Sequence, residues 1–230
     1  MKLVAAVVAA TLGLGAGCKT TSSNDLPTSG ISAEIRVSAT SASESSVRVQ
    51  MSPGDSFDPV DVVELGGGDA LYADDGGLRE KLFANTFDYQ ADFGAGGAET
   101  QFRVSFDRAR ADYVDAPDSV GTLPAPFQLG PGSIADMPRS QPSMITWSPS
   151  GTADRMTLEV QGSCVEDFSV TIDGDPGSYP LNLDGETYPS SCTVTMKLHR
   201  SRAGVVDPNL SPGSSFVLEQ VRTAAFHSSP

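Results

Sequence analysis

Three cysteines, two histidines and a few closely spaced carboxylates carry most of the usable chemistry in this 230-residue chain. Cys18, Cys164 and Cys192 lack the two-residue spacing of a redox pair or a zinc site, and no histidine stands beside them as a further ligand. His199 ends an alternating stretch on its polar phase, and His227 lies three residues from the C-terminal end. Neither has a histidine neighbour at ligand spacing, and no H-E-x-x-H or G-x-S-x-G occurs, so both read as surface histidines. Two carboxylates can suffice for glycoside cleavage, and Asp74 with Asp75, and Asp173 and Asp175 with Asp184 and Glu186, are the candidate groups. Both groups fall in sequences such as ADDGG and DGDPG, which suit hairpin turns. The second group could also bring several oxygens from two neighbouring loops to a calcium ion, although IDGDPGSYPLNL lacks the ligand spacing of an EF-hand. The turn reading is preferred for all of them. No catalytic residue, metal site or cofactor is assigned.

The start of the chain gives Cys18 a different role. Lys2, the apolar stretch Leu3 to Leu14 and the small residues Gly15, Ala16 and Gly17 have the layout of an export signal. The apolar stretch is shorter than the roughly 20 residues needed to cross a bilayer, and no later segment qualifies. The small residues run directly into Cys18, and LGAGC resembles the lipobox of bacterial lipoproteins, with Gly15 where the commonest form carries Leu. The resemblance implies that residues 1–17 are a signal peptide and that Cys18 becomes a diacylglycerol-bearing first residue. A signal cleaved elsewhere would leave Cys18 discarded or as a free thiol. With Cys18 lipidated in an exported protein, Cys164 and Cys192 remain as a pair for a structural disulfide. Closing that loop would constrain the unfolded chain by about 3.5 kcal/mol.

Residues 18–30, CKTTSSNDLPTSG, are polar and without apolar period, and read as a flexible tether behind the anchor. Lys19 stands where lipoproteins kept in the inner membrane usually carry Asp. By the same resemblance, delivery is to the outer membrane, facing the periplasm or the cell surface. Loss of the signal removes Lys2 and leaves 14 basic against 29 acidic residues, a net −15. Such a body repels phosphate backbones, so nucleic acid is not an expected partner. The acidic residues are scattered, which suits solubility.

The elements that must carry these residues are strands. Ile31, Ala33, Ile35 and Val37 alternate with polar residues, as do Val47, Val49 and Met51, and Phe102, Val104 and Phe106. Further on come Met156, Leu158 and Val160, then Phe168, Val170 and Ile172, then Val194, Met196 and Leu198. Short alternating runs separated by Gly, Pro, Asp and Ser predict an all-β, antiparallel sandwich architecture.

An internal repeat divides it. FRVSFDRARADYVDA, Phe102 to Ala116, matches VTMKLHRSRAGVVDP, Val194 to Pro208, at a constant offset of 92, so that Arg108, Arg110 and Asp115 recur as Arg200, Arg202 and Asp207. VQMSPG likewise faces ITWSPS, and VELGG faces LEVQG. Two tandem modules are expected, residues 31–117 and 118–230, the second including the Pro-rich linker and edge strand DAPDSVGTLPAPF. The expected purpose of the repeated motif is a clasp in each module, Arg110 with Asp115 and Arg202 with Asp207. ITWSPSG, with Trp147 pointing inward before a proline turn, resembles immunoglobulin-like and fibronectin type III sandwiches, and the whole layout resembles lipoproteins of the Gram-negative envelope. That resemblance implies a fold and no activity. The cysteine pair departs from the antibody pattern and is expected to be a local staple at one end of the second module.

Two functions are compatible with these features. The first is a non-enzymatic envelope lipoprotein acting as a spacer, adhesion or protein-binding module, with the membrane and an envelope or extracellular protein as partners. The alternative is a carbohydrate-binding or enzymatic accessory, which would call for several of Tyr72, Tyr89, Tyr113, Tyr179 and Tyr188 on one flat face.

Overall fold

The alternating stretches become strands because one side of each is apolar enough to leave water and the other is not. The computed structural model describes residues 19–130, 136–183 and 190–230. Cys18 and the expected signal peptide lie outside the described residues, as do Asp184, Glu186 and Tyr188. The first half contains β1 (Lys19–Ser22), β2 (Ile31–Ser41), β3 (Glu44–Pro53), β4 (Asp61–Glu64), β5 (Ala70–Asp74), β6 (Arg79–Lys81), β7 (Phe83–Asn85), β8 (Asp88–Phe93), β9 (Gln101–Asp107) and β10 (Ala116–Thr122). The second contains β11 (Gln128–Leu129), β12 (Met137–Pro138), β13 (Ser143–Ser148), β14 (Arg155–Gly162), β15 (Phe168–Ile172), β16 (Ser178–Leu181), β17 (Cys192–Ala203) and β18 (Ser215–Ser229). The all-β expectation is met, with β-sandwich sheets.

One nine-stranded sheet runs through both halves in the order β15-β14-β17-β18-β2-β3-β8-β7, with β12 beside the end of β18. Two smaller sheets cover one face of it: β10-β9-β5-β6 over the first core, and β11-β13-β16 over the second. The first core packs Ile35, Val37, Val49, Phe102, Val104 and Phe106 among others, and Phe93 meets Phe102 edge-on at 5.4 Å. The second packs Ile145, Trp147, Leu158, Val160, Met196 and Leu198.

The strand that joins the halves is β18. It pairs antiparallel with β17 along twelve positions, from Cys192↔Ser228 to Ala203↔Val217, and its first part pairs parallel with β2, from Ser215↔Glu34 to Gln220↔Ala39. On its inward phase Phe216 and Leu218 belong to the first core, and Ala224 and Phe226 to the second. Between them the same phase carries Gln220 and Arg222, polar residues at the point where the cores part. The expected boundary between 117 and 118 falls inside β10, which pairs with β9. Leu123, Leu210, Phe216 and Leu218, all beyond that boundary, complete the first core.

The segment expected to be a loose tether is folded. β1 pairs parallel with β4, Lys19↔Asp61 to Ser22↔Glu64, and two single-turn 3-10 helices follow at Ser23–Asp25 and Thr28–Gly30. Ser23 and Thr28 are buried, and Leu26 packs against the first core. Close approach is possible because Gly66 has no Cβ, which would collide with the Ser22 hydroxyl, and because Gly67 turns at φ +62°. The order comes from hydrogen bonds to distant partners, so it leaves no apolar period in the sequence.

Candidate functional site

The inward phase of β9 and β17 continues beyond the apolar residues into an arginine. Phe102, Val104 and Phe106 lead to Arg108, and Val194, Met196 and Leu198 lead to Arg200, all of them buried. A guanidinium cannot be deprotonated to escape burial, so each of these must be compensated where it sits. Arg108 donates from Nε to Asp69 (3.1 Å), from Nη1 to Thr28 Oγ1 (3.0 Å), and from Nη2 to the carbonyls of Ser23 (2.7 Å) and Leu26 (3.0 Å). Asp69 also accepts from the Ser23 hydroxyl and the Ala109 amide. The guanidinium lies over the rings of Phe106 and Tyr113, at 4.8 and 4.5 Å. Through these contacts Arg108 holds the N-terminal segment against the first sandwich.

Arg200 does the same in the second sandwich. It donates to the carbonyls of Ala125 (2.8 Å) and Pro149 (2.6 Å) and to Asp175 (2.9 Å), and lies 4.9 Å from the Phe127 ring centre. Among the described residues its Nε has no acceptor. Asp175 also accepts from Trp147 Nε1 (2.6 Å) and from the amide and hydroxyl of Thr152 (3.1 and 2.8 Å). Burial works against its ionisation, but the bonds from Trp147 and Thr152 and the charge of Arg200 outweigh it, and the carboxyl sits below its ordinary value.

The sequence-expected residues are therefore distributed differently. Arg110 pairs with Asp112 at the surface, not with Asp115, which accepts from the Arg108 amide. Arg202 pairs with Asp154 (2.8 Å) and Glu99 (3.0 Å), while Asp207 accepts from the amides of Asp118 and Asn209. No clasp forms between motif partners, because Asp115 and Asp207 instead accept from backbone amides, Asp115 from nearby Arg108 and Asp207 from nearby Asn209 and from Asp118 on β10. The signal for the buried pair was an arginine on an apolar phase in both copies of the repeat.

Asp74 and Asp75 cap the β5–β6 hairpin by accepting from the amides of Gly76, Gly77 and Leu78. Of the calcium candidates, Asp175 has both oxygens engaged by donors, Asp173 is exposed, and the other two lie outside the described residues. Among the described residues no group of three His, Cys, Asp or Glu could hold a metal ion. Cys164 and Cys192 form a disulfide with Cα atoms 5.7 Å apart, joining the start of the β14–β15 connection to the start of β17.

His199 is less open than its polar phase predicts, because it lies in the middle of the nine-stranded sheet. Its Nδ1 is 2.9 Å from Glu219, and its Nε2 is 3.6 Å from Glu159. Glu219 also accepts from Ser38 (2.6 Å) and Arg36 (3.4 Å). Burial opposes ionisation of Glu219, yet the bonds from His199 and Ser38 and the charge of Arg36 hold it below its ordinary value. The serine bonds the carboxylate and not the imidazole, so this is not the order that activates a nucleophile. His227 is exposed.

The described tyrosines do not share a face. Tyr72 is on β5, Tyr89 is buried on β8 and accepts from the Leu65 amide, Tyr113 lies between Arg108 and Arg110, and Tyr179 packs on the second core. Trp147 is buried. Near the polar residues of β18 a cleft of about 530 Å³ opens where the two sandwiches meet, lined by Arg222, Phe127 and Gln128 among others.

No protein-family model matches the chain, and no curated protein matches it. Among solved structures it is similar to the FN1-FN3 domains of chicken CNTN1, at 8% identity and TM-score 0.33, covering 85% of this chain and 67% of that one. It is also similar to the Yersinia pseudotuberculosis adhesin InvE, at 13% identity and TM-score 0.24, covering 84% and 60%. A two-domain fibronectin type III segment of chicken tenascin aligns at 12% identity and TM-score 0.25, covering 82% and 96%. Scores of this size leave the β-sandwich assignment resting on the strand pairing and the two cores described above.

Proposed function

We propose that this chain is a lipid-anchored, non-enzymatic binding or adhesion module of a bacterial cell envelope, held at the outer membrane through Cys18. The observation that carries the reading is the way its polar residues are used. Arg108 and Arg200, both buried, are consumed with their aspartates in fastening segments to the sandwiches, and His199 lacks a nucleophile, while the cleft between the sandwiches stays open. The anchor bears on the same point: β1 begins at Lys19, one residue after Cys18, and Arg108 fixes the segment that follows. A lipid on Cys18 would thus hold the folded body close to the bilayer instead of at the end of a long leash. The carbohydrate-binding alternative loses support with the scattered tyrosines.

Detergent phase partitioning with intact-mass analysis tests the anchor. The wild type should enter the detergent phase with added lipid mass, and Cys18→Ser should remain aqueous or uncleaved. A wild type in the aqueous phase without lipid mass would remove the membrane from the proposal. Proximity crosslinking from the native protein tests the other half: one reproducible partner supports a binding module, and recovery of bulk envelope proteins alone supports a spacer.

A further inference from the structure

The place where the two cores part holds a cation whose partners among the described residues are all neutral. Arg222 Nε donates to the Phe127 carbonyl (2.7 Å), Nη1 to the carbonyls of Ala39 (3.3 Å) and Val221 (2.7 Å), and Nη2 to Gln220 Oε1 (3.2 Å). Four of the five N–H donors are thereby used, and one on Nη2 is left. Arg200 lies over the same Phe127 ring, but its charge is met by Asp175. Among the described residues no carboxylate lies within 4.0 Å of Arg222. In a chain of net charge −14 this is conspicuous, because a partly buried cation without a counter-ion is a standing cost that an anion would relieve. Burial, and then the charge of Arg200, hold the guanidinium below its ordinary value, as expected where no anion faces it.

The cleft of about 530 Å³ opens beside this group, bounded by Thr40 and Ser41 at the end of β2, by Phe127 of the linker and Gln128 of β11, and by Ser148 at the end of β13. Its size falls within the range of ligand sites, roughly 300–1,000 Å³. One wall has the character of a peptide-docking edge: among the described residues β11 pairs with β13 on one side only, and the Phe127 carbonyl just before it points the other way, to Arg222. Gln128 and Ser148 are exposed on the rim.

We infer that this cleft binds a carboxylate side chain carried on an extended peptide segment, with Arg222 Nη2 as the donor to the carboxylate and the free edge of β11 and the Gln128 amide as donors and acceptors for the flanking backbone. The inference deepens the binding-module reading and rests on it, but makes no use of the lipid. It names the ligand as an acidic peptide segment because the rim is polar backbone and amide, which suits a main chain.

The test is a titration of the full chain, in detergent micelles and labelled with ¹⁵N, with acetyl-Gly-Glu-Gly-amide and with its Gln counterpart. The Glu peptide should shift the Arg222 Nε–H and the amides of Phe127, Gln128 and Ser148 saturably, and the Gln peptide should bind more weakly by about tenfold or more, the loss of one charge-assisted hydrogen bond. Ala42→Glu, which puts a competing carboxylate on the cleft rim without touching the four Arg222 bonds, should weaken the Glu peptide by a similar factor at unchanged melting temperature. Arg222→Gln should do the same, and if it fails to fold, the Ala42→Glu result decides. Equal binding of the two peptides, an Ala42→Glu variant that binds as the wild type does, or inorganic phosphate binding as tightly as the Glu peptide would each overturn the inference. Absence of shifts in the cleft while crosslinking still returns one partner would overturn it and leave the binding-module reading standing.

Discussion

Arg108 and Arg200 occupy positions where the strand pattern would place another apolar side chain, and the protein spends a buried aspartate on each. Removing one member of such a pair leaves the other charged, buried and unpaired, so Arg200→Ala should destabilise by about 3–5 kcal/mol. Arg110→Ala, which breaks a surface pair with Asp112, should cost at most about 1 kcal/mol. Urea unfolding of both variants separates them, and similar small losses would mean that the Arg200 network contributes little. A pH series probes the same residues. Asp175 and Glu219 both have their carboxyls held below the ordinary values, so their contribution is present at neutral pH and is lost as pH falls below about 4, through the folded-state values. Asp175→Asn should be less stable at neutral pH and should show a flatter acid limb in urea midpoint against pH. An acid limb of unchanged steepness would assign the dependence to other carboxylates.

At the scale of elements, the N-terminal segment behaves as part of the first sandwich. Its strand pairs with β4, and its carbonyls and hydroxyls fill the acceptors and donors around Arg108 and Asp69. Ser23→Ala removes a buried hydroxyl that both donates to Asp69 and accepts from the Gly66 amide, so it should cost about 1–3 kcal/mol by leaving buried groups unsatisfied. Hydrogen exchange provides an independent measure: amides bonded across β1 and β4 should be protected well beyond the rate of a free peptide. Exchange at the free-peptide rate across Lys19–Ser22 would restore the loose tether expected from composition.

At the scale of the whole molecule, β18 prevents the two halves from being independent. Fifteen residues at about 3.3 Å each carry it some 50 Å, from one core into the other. Loss of that strand exposes Phe216 and Leu218 in one core and Ala224 and Phe226 in the other. Unfolding should therefore be a single cooperative transition, with calorimetric and van't Hoff enthalpies in agreement. Two resolved transitions would mean that the halves unfold as separate modules despite the shared strand. A chain ending at Ser214 should lose the cooperative fold of both halves, because it leaves β2 and β17 without their common neighbour.

The strands themselves were legible in sequence because burial on one face imposes a period of two, which Ile31 to Val37, Phe102 to Phe106 and Val194 to Leu198 display directly. The repeat was legible for the same reason, since its two copies keep their inward residues in phase. The pairing of Cys164 with Cys192 followed from cysteine number and an expected location, and the structure contains it. What tertiary structure decided is everything held by polar contacts between distant residues. Arg108 meets Leu26 across 82 positions, and Arg200 meets Ala125 across 75, and neither separation leaves a local pattern to read. Composition alone made the segment from Lys19 to Gly30 look unfolded, because apolar periodicity registers burial in a core and says nothing of backbone carbonyls gathered around a guanidinium. Likewise FVLEQVRTAAF spells one inward phase, but only the folded chain shows that Gln220 and Arg222 interrupt it where two cores part and a linker crosses.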